Sequence, residues 1–168
     1  MRRCTGGGAI WHERELTFAF VGGLDLLPTS IEESYSRVHD CIRRAAARFG
    51  RTLCPGSPNG HDSRWCFESV VGLDLVDEEG RKTVGSAQRR RGGRFLHHGS
   101  IVLARPPGQE FCGALDIPAG PLAGAMAEEL AHVMEMQTRV ESLPASVLES
   151  ADHIENSRYL TVAWNHRR

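Results

Sequence analysis

Hydrophobic and polar positions change period three times along this chain, and each change marks a new element. Residues 9–22 read as β structure: Ala9-Ile10-Trp11-His12, then Leu16-Thr17-Phe18-Ala19-Phe20-Val21, parted by the charged turn Glu13-Arg14-Glu15. From Ser30 to Phe49 the period becomes helical. Ile31, Tyr35, Val38, Ile42, Ala45, Ala46 and Phe49 recur every three or four positions, Thr29 or Ser30 can cap the start with Glu32 or Glu33 following, and Gly50 suits the C-terminal stop. A turn-rich loop fills residues 51–64. Alternation returns in Leu73–Val76 and Lys82–Ser86, which flank Asp77-Glu78-Glu79-Gly80 as a hairpin would, and again from Phe95 to Leu103. After Pro106-Pro107 the pattern is helical over about 121–139 and about 146–157, with a short segment to Trp164. Strands first and helices last predict one α+β domain over 1–168, with a strand-rich part (1–105) and a helical part (106–168).

Composition narrows the function without choosing it. The 168 residues are 40% hydrophobic and 24% charged, with a net charge of −1, which gives no electrostatic case for nucleic acid or a membrane surface as partner. No run is long and apolar enough to span a bilayer, and the start lacks the apolar core of a signal peptide, so the cytoplasm is the expected compartment. The five cysteines (4, 41, 54, 66, 112) are odd in number and include no C-x-x-C pair. Reduced thiols are therefore expected, with no metal site. One bias stands out: Lys82 is the sole lysine among 20 basic residues. Lysine is compact and its charge responds to burial, whereas arginine stays protonated, so a lone lysine is either a survivor of coding bias or a chemical requirement.

Four places could carry chemistry. Gly6-Gly7-Gly8, flanked by Arg2, Arg3 and His12, is either a strained turn or a point where backbone must approach something closely. Lys82 begins a strand in Gly80-Arg81-Lys82-Thr83-Val84-Gly85-Ser86, an ordinary place for lysine unless it has a partner. Cys66, between Trp65 and Phe67, reads first as a small buried hydrophobe. As a nucleophile it would need a nearby positive charge, because a free thiol is only a few per cent thiolate at neutral pH. His97-His98-Gly99-Ser100 is either a pocket wall or a structural hydrogen-bonding run. Arg89-Arg90-Arg91 with Arg94 reads as a solvated face, or one that meets an acidic partner.

Together and in this order, these features resemble the lipoate–protein ligase A and protein octanoyltransferase superfamily. The resemblance lies in Arg2-Arg3-x-Thr5-Gly6-Gly7-Gly8-Ala9-Ile10-Trp11-His12, Glu15-Leu16-Thr17, Cys66-Phe67, Gly80-Arg81-Lys82-x-Val84-Gly85-Ser86-Ala87-Gln88-x-Arg90, His98-Gly99-Ser100-Ile101 and Arg158-Tyr159 through Ala163-Trp164-Asn165. It implies a biotin/lipoate ligase-like fold, with a mixed central sheet, a small second sheet and C-terminal helices. By position it implies that Arg3, Gly6, Gly7, Gly8, Ala9, Ile10, Trp11, His12, Gly85, Ser86, His98, Gly99 and Ser100 bind substrate around Lys82. A Cys-Phe pair before the G-R-K segment is similar to the subgroup that carries octanoate as a thioester on that cysteine, with Cys66 and Lys82 as the catalytic pair.

The implied reaction moves octanoate from octanoyl-acyl carrier protein to Cys66 and then to a lysine of a lipoyl domain, in glycine cleavage H protein or a dehydrogenase E2 subunit. No cofactor is required, since a thioester exchanged for a thioester and then for an amide runs downhill. Two alternatives stay open: a lipoate ligase using ATP and Mg²⁺, and an inactive fragment or subunit that only binds a lipoyl domain or carrier protein. Trp11, Phe18, Trp65 and Leu73 are candidates for an apolar slot. Two tests are set for the fold. A hairpin pairing Lys82 with about residue 75 would leave Cys66 roughly 30 Å away if the chain ran straight, so it must reverse near residues 69–72. Family members also carry several dozen residues before the Arg-Arg motif; a sheet face left open, or a partner chain supplying that part, is the expected counterpart.

Overall fold

In the computed structural model, residues 8–60 and 63–166 are described. Strand β4 (Lys82–Arg91) turns through Gly92-Gly93 into β5 (Arg94–Val102), and β5 pairs on its other side with β1 (Glu15–Gly23). Two short strands, β2 (Cys54–Pro55) and β3 (Leu75–Val76), extend the sheet beyond β4 in the order β1-β5-β4-β3-β2. Every named pair is antiparallel. The expected mixed and second sheets thus take a different form among the described residues: one antiparallel sheet, with parallel pairing confined to a single bridge between Ala9 and Trp65. The α+β class holds. Residues 10–12, expected to extend a strand, do not, because only Ala9 finds a backbone partner there.

Strand alternation sends two rows of side chains to opposite faces. Phe95 and Ile101 of β5, Val84 of β4, and Leu16, Phe18 and Phe20 of β1 form one core with Val38, Ile42, Ala45 and Ala46 of α1 (Ile31–Ala47). Ser30 caps this helix, accepting from the Glu33 N–H as expected. Its buried stripe is shifted from the expected one: Ser34, His39 and Cys41 are buried, while Ile31 and Phe49 are exposed. Ser34 and His39 turn toward the sheet, where Gln88 and Ser86 partner them, while Cys41 meets the Arg37 and Glu129 carbonyls.

Helix α2 (Ala119–Val133) covers α1 with Leu122, Ala125, Met126 and Leu130, and Arg44 and Arg48 of α1 pair with Glu129 and Glu128. It ends earlier than its apolar pattern predicts. Glu135 takes φ 53°, and the Met136 N–H bonds back to the Ala131 carbonyl, which closes the helix. The outer sheet face is open at Thr17, Ala19 and Val21 of β1, the last 72% exposed.

Residues from 139 onward form a separate compact unit. It holds α3 (Ala145–Ile154), a π-helical turn (Glu155–Tyr159) and α4 (Val162–Asn165). Within it Tyr159 meets Trp164 edge-on, and the Arg158 guanidinium lies 4.5 Å from the Trp164 ring centre.

Candidate active site

At Gly8 the structure decides between a strained turn and a close approach in favour of the latter. A Cβ there would stand 2.7 Å from the Arg64 carbonyl oxygen and 2.9 Å from the Cys66 nitrogen, so only glycine lets this strand lie against residues 64–66. Backbone hydrogen bonds then join the two segments: Ala9 N–H to Arg64 O at 2.6 Å and Cys66 N–H to Ala9 O at 2.9 Å. The segment thereby fixes Cys66. Arg3, Gly6 and Gly7, expected in the same site, lie outside the described residues.

After Cys66 the chain reverses as the Cys66–Lys82 contact requires. Glu68 N–H bonds to Trp65 O, and the Asp74 carboxylate and backbone close a second turn on Val71. Lys82 pairs with Val76 across the hairpin, but Val84 pairs with Leu75, so β4 spends two steps where β3 spends one. Such a bulge re-aims side chains. It carries the Lys82 side chain onto the face that Gly85 occupies: a Cβ on Gly85 would stand 2.9 Å from Lys82 Cε, 3.5 Å from Nζ and 3.8 Å from Cys66 Sγ. Glycine at 85 is the space in which the two functional groups meet.

The Lys82 ammonium lies 3.7 Å from Cys66 Sγ. Its hydrogen bonds go to Cys66 O at 2.8 Å and Ser69 O at 3.1 Å, and it forms an ion pair with Asp74 Oδ2 at 2.8 Å. Both Lys82 and Asp74 are only 4% exposed. Burial pushes the Asp74 carboxyl up, and the Lys82 charge draws it part of the way back. With three donors and three oxygens, the ammonium reaches the sulfur as a neighbouring charge more than as a donor.

On the same face, one strand over, Ser100 pairs with Gly85 on one side and Thr17 on the other. The hydroxyls of Ser100 and Thr17 donate to the carboxylate of Glu15, which also binds His12 Nδ1. Burial alone would push the Glu15 carboxyl up, but these three hydrogen bonds outweigh it and hold it below the usual carboxylate range. His98, two residues from Ser100, shares that face. Gly99 and Ser86 face the core instead. A Cβ on Gly99 would crowd Phe18. Ser86 Oγ is held by His39 Nε2 at 2.7 Å and His97 Nε2 at 3.1 Å, and Gln88 Nε2 donates to His97 Nδ1 at 3.1 Å. Burial lowers both histidines, His39 to about 4 and His97 to about 3, so this network is neutral at pH 7.

A cleft of about 380 Å³ is walled by Trp11, Trp65 (the residue before Cys66), Gln109 and Phe111 among others, a size that suits a small-molecule substrate. A tighter recess of about 10 Å³, room for about one water, lies among Ile10, Glu15, Phe67 and Cys112. Of the expected slot residues, Trp11 and Trp65 line the cleft, whereas Phe18 stacks on His97 across the sheet. Among the described residues there is no cluster fit for a metal ion. No helix among them is long and apolar enough to cross a membrane.

Sequence reasoning missed Asp74, Glu15 as a site residue, His39 and the Gln109–Phe111 wall. For Asp74 a signal existed, a lone acid inside the apolar run Leu73-Asp74-Leu75-Val76, which burial makes costly without a partner. Arg90, read as part of a solvated face, clamps the start of α1: its guanidinium bonds to Pro28 O, Thr29 O and Ser34 Oγ at 2.6–3.0 Å.

Comparison with known proteins points the same way. The model of the lipoyl protein ligase A/B catalytic domain matches residues 1–119. Octanoyltransferase LipM of Kyrpidia tusciae is 28% identical over 205 aligned positions, which take in 100% of this chain and 74% of that protein. Among solved structures, protein Ta0514 of T. acidophilum with bound lipoic acid superposes with a TM-score of 0.80 at 19% identity, covering 98% of this chain and 70% of that one. A structure of the bi-partite lipoate protein ligase of Thermoplasma acidophilum and its E2 lipoyl domain gives 0.74 at 19% identity, covering 98% and 69%. These two likenesses show the fold.

Proposed function

Because the chain belongs to the lipoyl protein ligase A/B catalytic domain family, we propose that it is an octanoyltransferase of protein lipoylation, working through a thioester on Cys66. The observation that carries this reading is the Cys66–Lys82 pair, 3.7 Å apart, with Trp65, next to Cys66 in the chain, lining a largely apolar cleft. An ammonium at that distance can balance negative charge that develops on the sulfur as it reacts. The name borne by its LipM relatives supports octanoate as the acyl group.

The donor in this reading is octanoyl-acyl carrier protein. Cys66 attacks the donor thioester, its sulfur forms the new C–S bond, and the carrier thiol leaves. The acyl tail then lies along Trp11 and Trp65, where burial of each methylene contributes about 0.8 kcal/mol. Lys82 faces the reacting centre and balances negative charge on the sulfur and on the oxyanion. An acceptor lysine of a lipoyl domain next displaces Cys66 and forms an amide, with no ATP needed. The acceptor assignment is supported by the family and by the ligase neighbour studied with its E2 lipoyl domain.

Mass spectrometry tests this directly. Incubated with octanoyl-acyl carrier protein, the chain is expected to gain one octanoyl group, and Cys66→Ser is expected to gain none. A folded wild-type chain that takes up no octanoyl group would overturn the reading. Labelling that requires ATP and survives Cys66→Ser would point to a ligase instead.

A further inference from the structure

Transfer from Cys66 to an amine leaves one proton without a destination. Lys82 is an unsuitable receiver: an ammonium has no lone pair, its hydrogen bonds and ion pair already engage two carbonyls and Asp74, and only 4% of its side chain is exposed. Losing a proton would also leave Asp74 buried opposite a neutral amine. Asp74 is spent on the same ion pair. His39 and His97 lie on the other face of the sheet, locked to Ser86.

His12 has the right construction. Its Nδ1 is bound to Glu15, and a carboxylate at that position accepts, so Nδ1 carries the hydrogen and Nε2 of the neutral ring carries the lone pair. Glu15 is itself fixed by the Ser100 and Thr17 hydroxyls and is largely buried, with 9% of its side chain exposed. The His12 side chain is 63% exposed and open to an arriving macromolecule. Position along the sheet brings the Glu15–Ser100 end of this chain of groups toward Cys66. Thr17, Ser100 and Gly85 form one cross-strand row, and strands lie about 4.8 Å apart. The Glu15–Ser100 contact is therefore about one strand spacing from Gly85, over which the Lys82 ammonium and Cys66 sulfur meet. Glu15 also lines the recess shared with Trp65 and Phe67, the two neighbours of Cys66.

We propose that His12 is the general base for the second half-reaction, with Glu15 as its positioning residue. The inference rests on the thioester reading above. The acceptor lysine arrives as a neutral amine, and its nitrogen forms the C–N bond to the thioester carbonyl. Its surplus proton passes to His12 Nε2. The C–S bond breaks, and Cys66 leaves with the electron pair as a thiolate beside Lys82. The imidazolium afterwards returns its proton to solvent.

The plain alternative is a surface ion pair with no part in the chemistry, and such pairs contribute little to stability. The two half-reactions separate these cases. Wild-type, His12→Gln and Glu15→Gln chains are loaded with octanoate, the adduct is confirmed by mass, and each is then mixed with a lipoyl domain. The ratio of transfer rate to loading rate is expected to fall on the order of 100-fold in His12→Gln and about 10-fold in Glu15→Gln. Added imidazole is expected to restore part of the transfer in His12→Ala. A His12→Gln ratio equal to wild type overturns the proposal, as does an equal loss in both half-reactions without imidazole rescue. Wild-type chain that never loads overturns the Cys66 reading first, and this inference with it.

Discussion

At the scale of single residues, the site is governed by how the Lys82 charge is shared. The Asp74 carboxylate, Cys66 O and Ser69 O surround it, and the thiol sits just outside that shell. Replacing one partner of a buried ion pair leaves the other charge uncompensated, so Asp74→Asn is expected to destabilise the fold by about 3–5 kcal/mol. Urea unfolding measures this; an unchanged midpoint would show that the pair is not held as described. The sequence marked Lys82 as its only lysine but left its role open until a partner was found, and it left the glycine run open between a strained turn and a close approach. Asp74 was less legible, since the sequence shows a lone acid in a strand but not which cation answers it. The bulge that turns Lys82 toward Cys66 left no trace in the alternation, because it arises from pairing with β3.

Elements act here through their ends and edges. The helix α1 was readable from its period and the β3–β4 hairpin from its turn residues, whereas β4 runs on to Arg91, five residues past the expected Ser86, and its turn into β5 was not read. What ties α1 to β4 was not legible either. Arg90 reaches from β4 to the last residues before α1 and to Ser34 within it, using charge-assisted hydrogen bonds across more than fifty residues of sequence. A sequence shows three consecutive arginines; only the strand twist and the helix entry decide which one becomes a clamp. Arg90→Met is expected to lower stability by about 1.5–3 kcal/mol, the range for a hydrogen bond to a charged group. Chemical denaturation checks it, with Arg89→Met, on an exposed position, as the comparison. Equal effects from the two would count against the clamp.

For the whole molecule, the pair His39 and His97 ties stability to pH. Both are buried and neutral, lowered by burial to about 4 and about 3. In the unfolded chain each would titrate near 6.5, so between about pH 6.5 and about pH 4 the unfolded state binds more protons than the folded one. Stability is therefore full above pH 6.5 and falls with acidification, by up to about 1.4 kcal/mol per pH unit for each histidine. Urea midpoints at pH 7, 6 and 5 should decline in step, and a flat series would contradict the neutral network. The α+β class was legible from the order of strands and helices. The exposure of β1 at Thr17, Ala19 and Val21 was not legible, since alternation cannot say which faces find cover.

One compositional fact acquires a meaning once the reaction is considered. In the proposed reaction an octanoyl thioester acylates a lysine side chain. A protein that carries such a group risks modifying its own surface. Here the only lysine is 4% exposed and locked to Asp74, and every other basic side chain apart from histidine is an arginine, whose permanently charged guanidinium is a poor nucleophile. On the proposed reading the chain presents no exposed lysine to a reactive ester, and the one it has is held in a buried ion pair, so arginine composition and burial together guard against self-acylation.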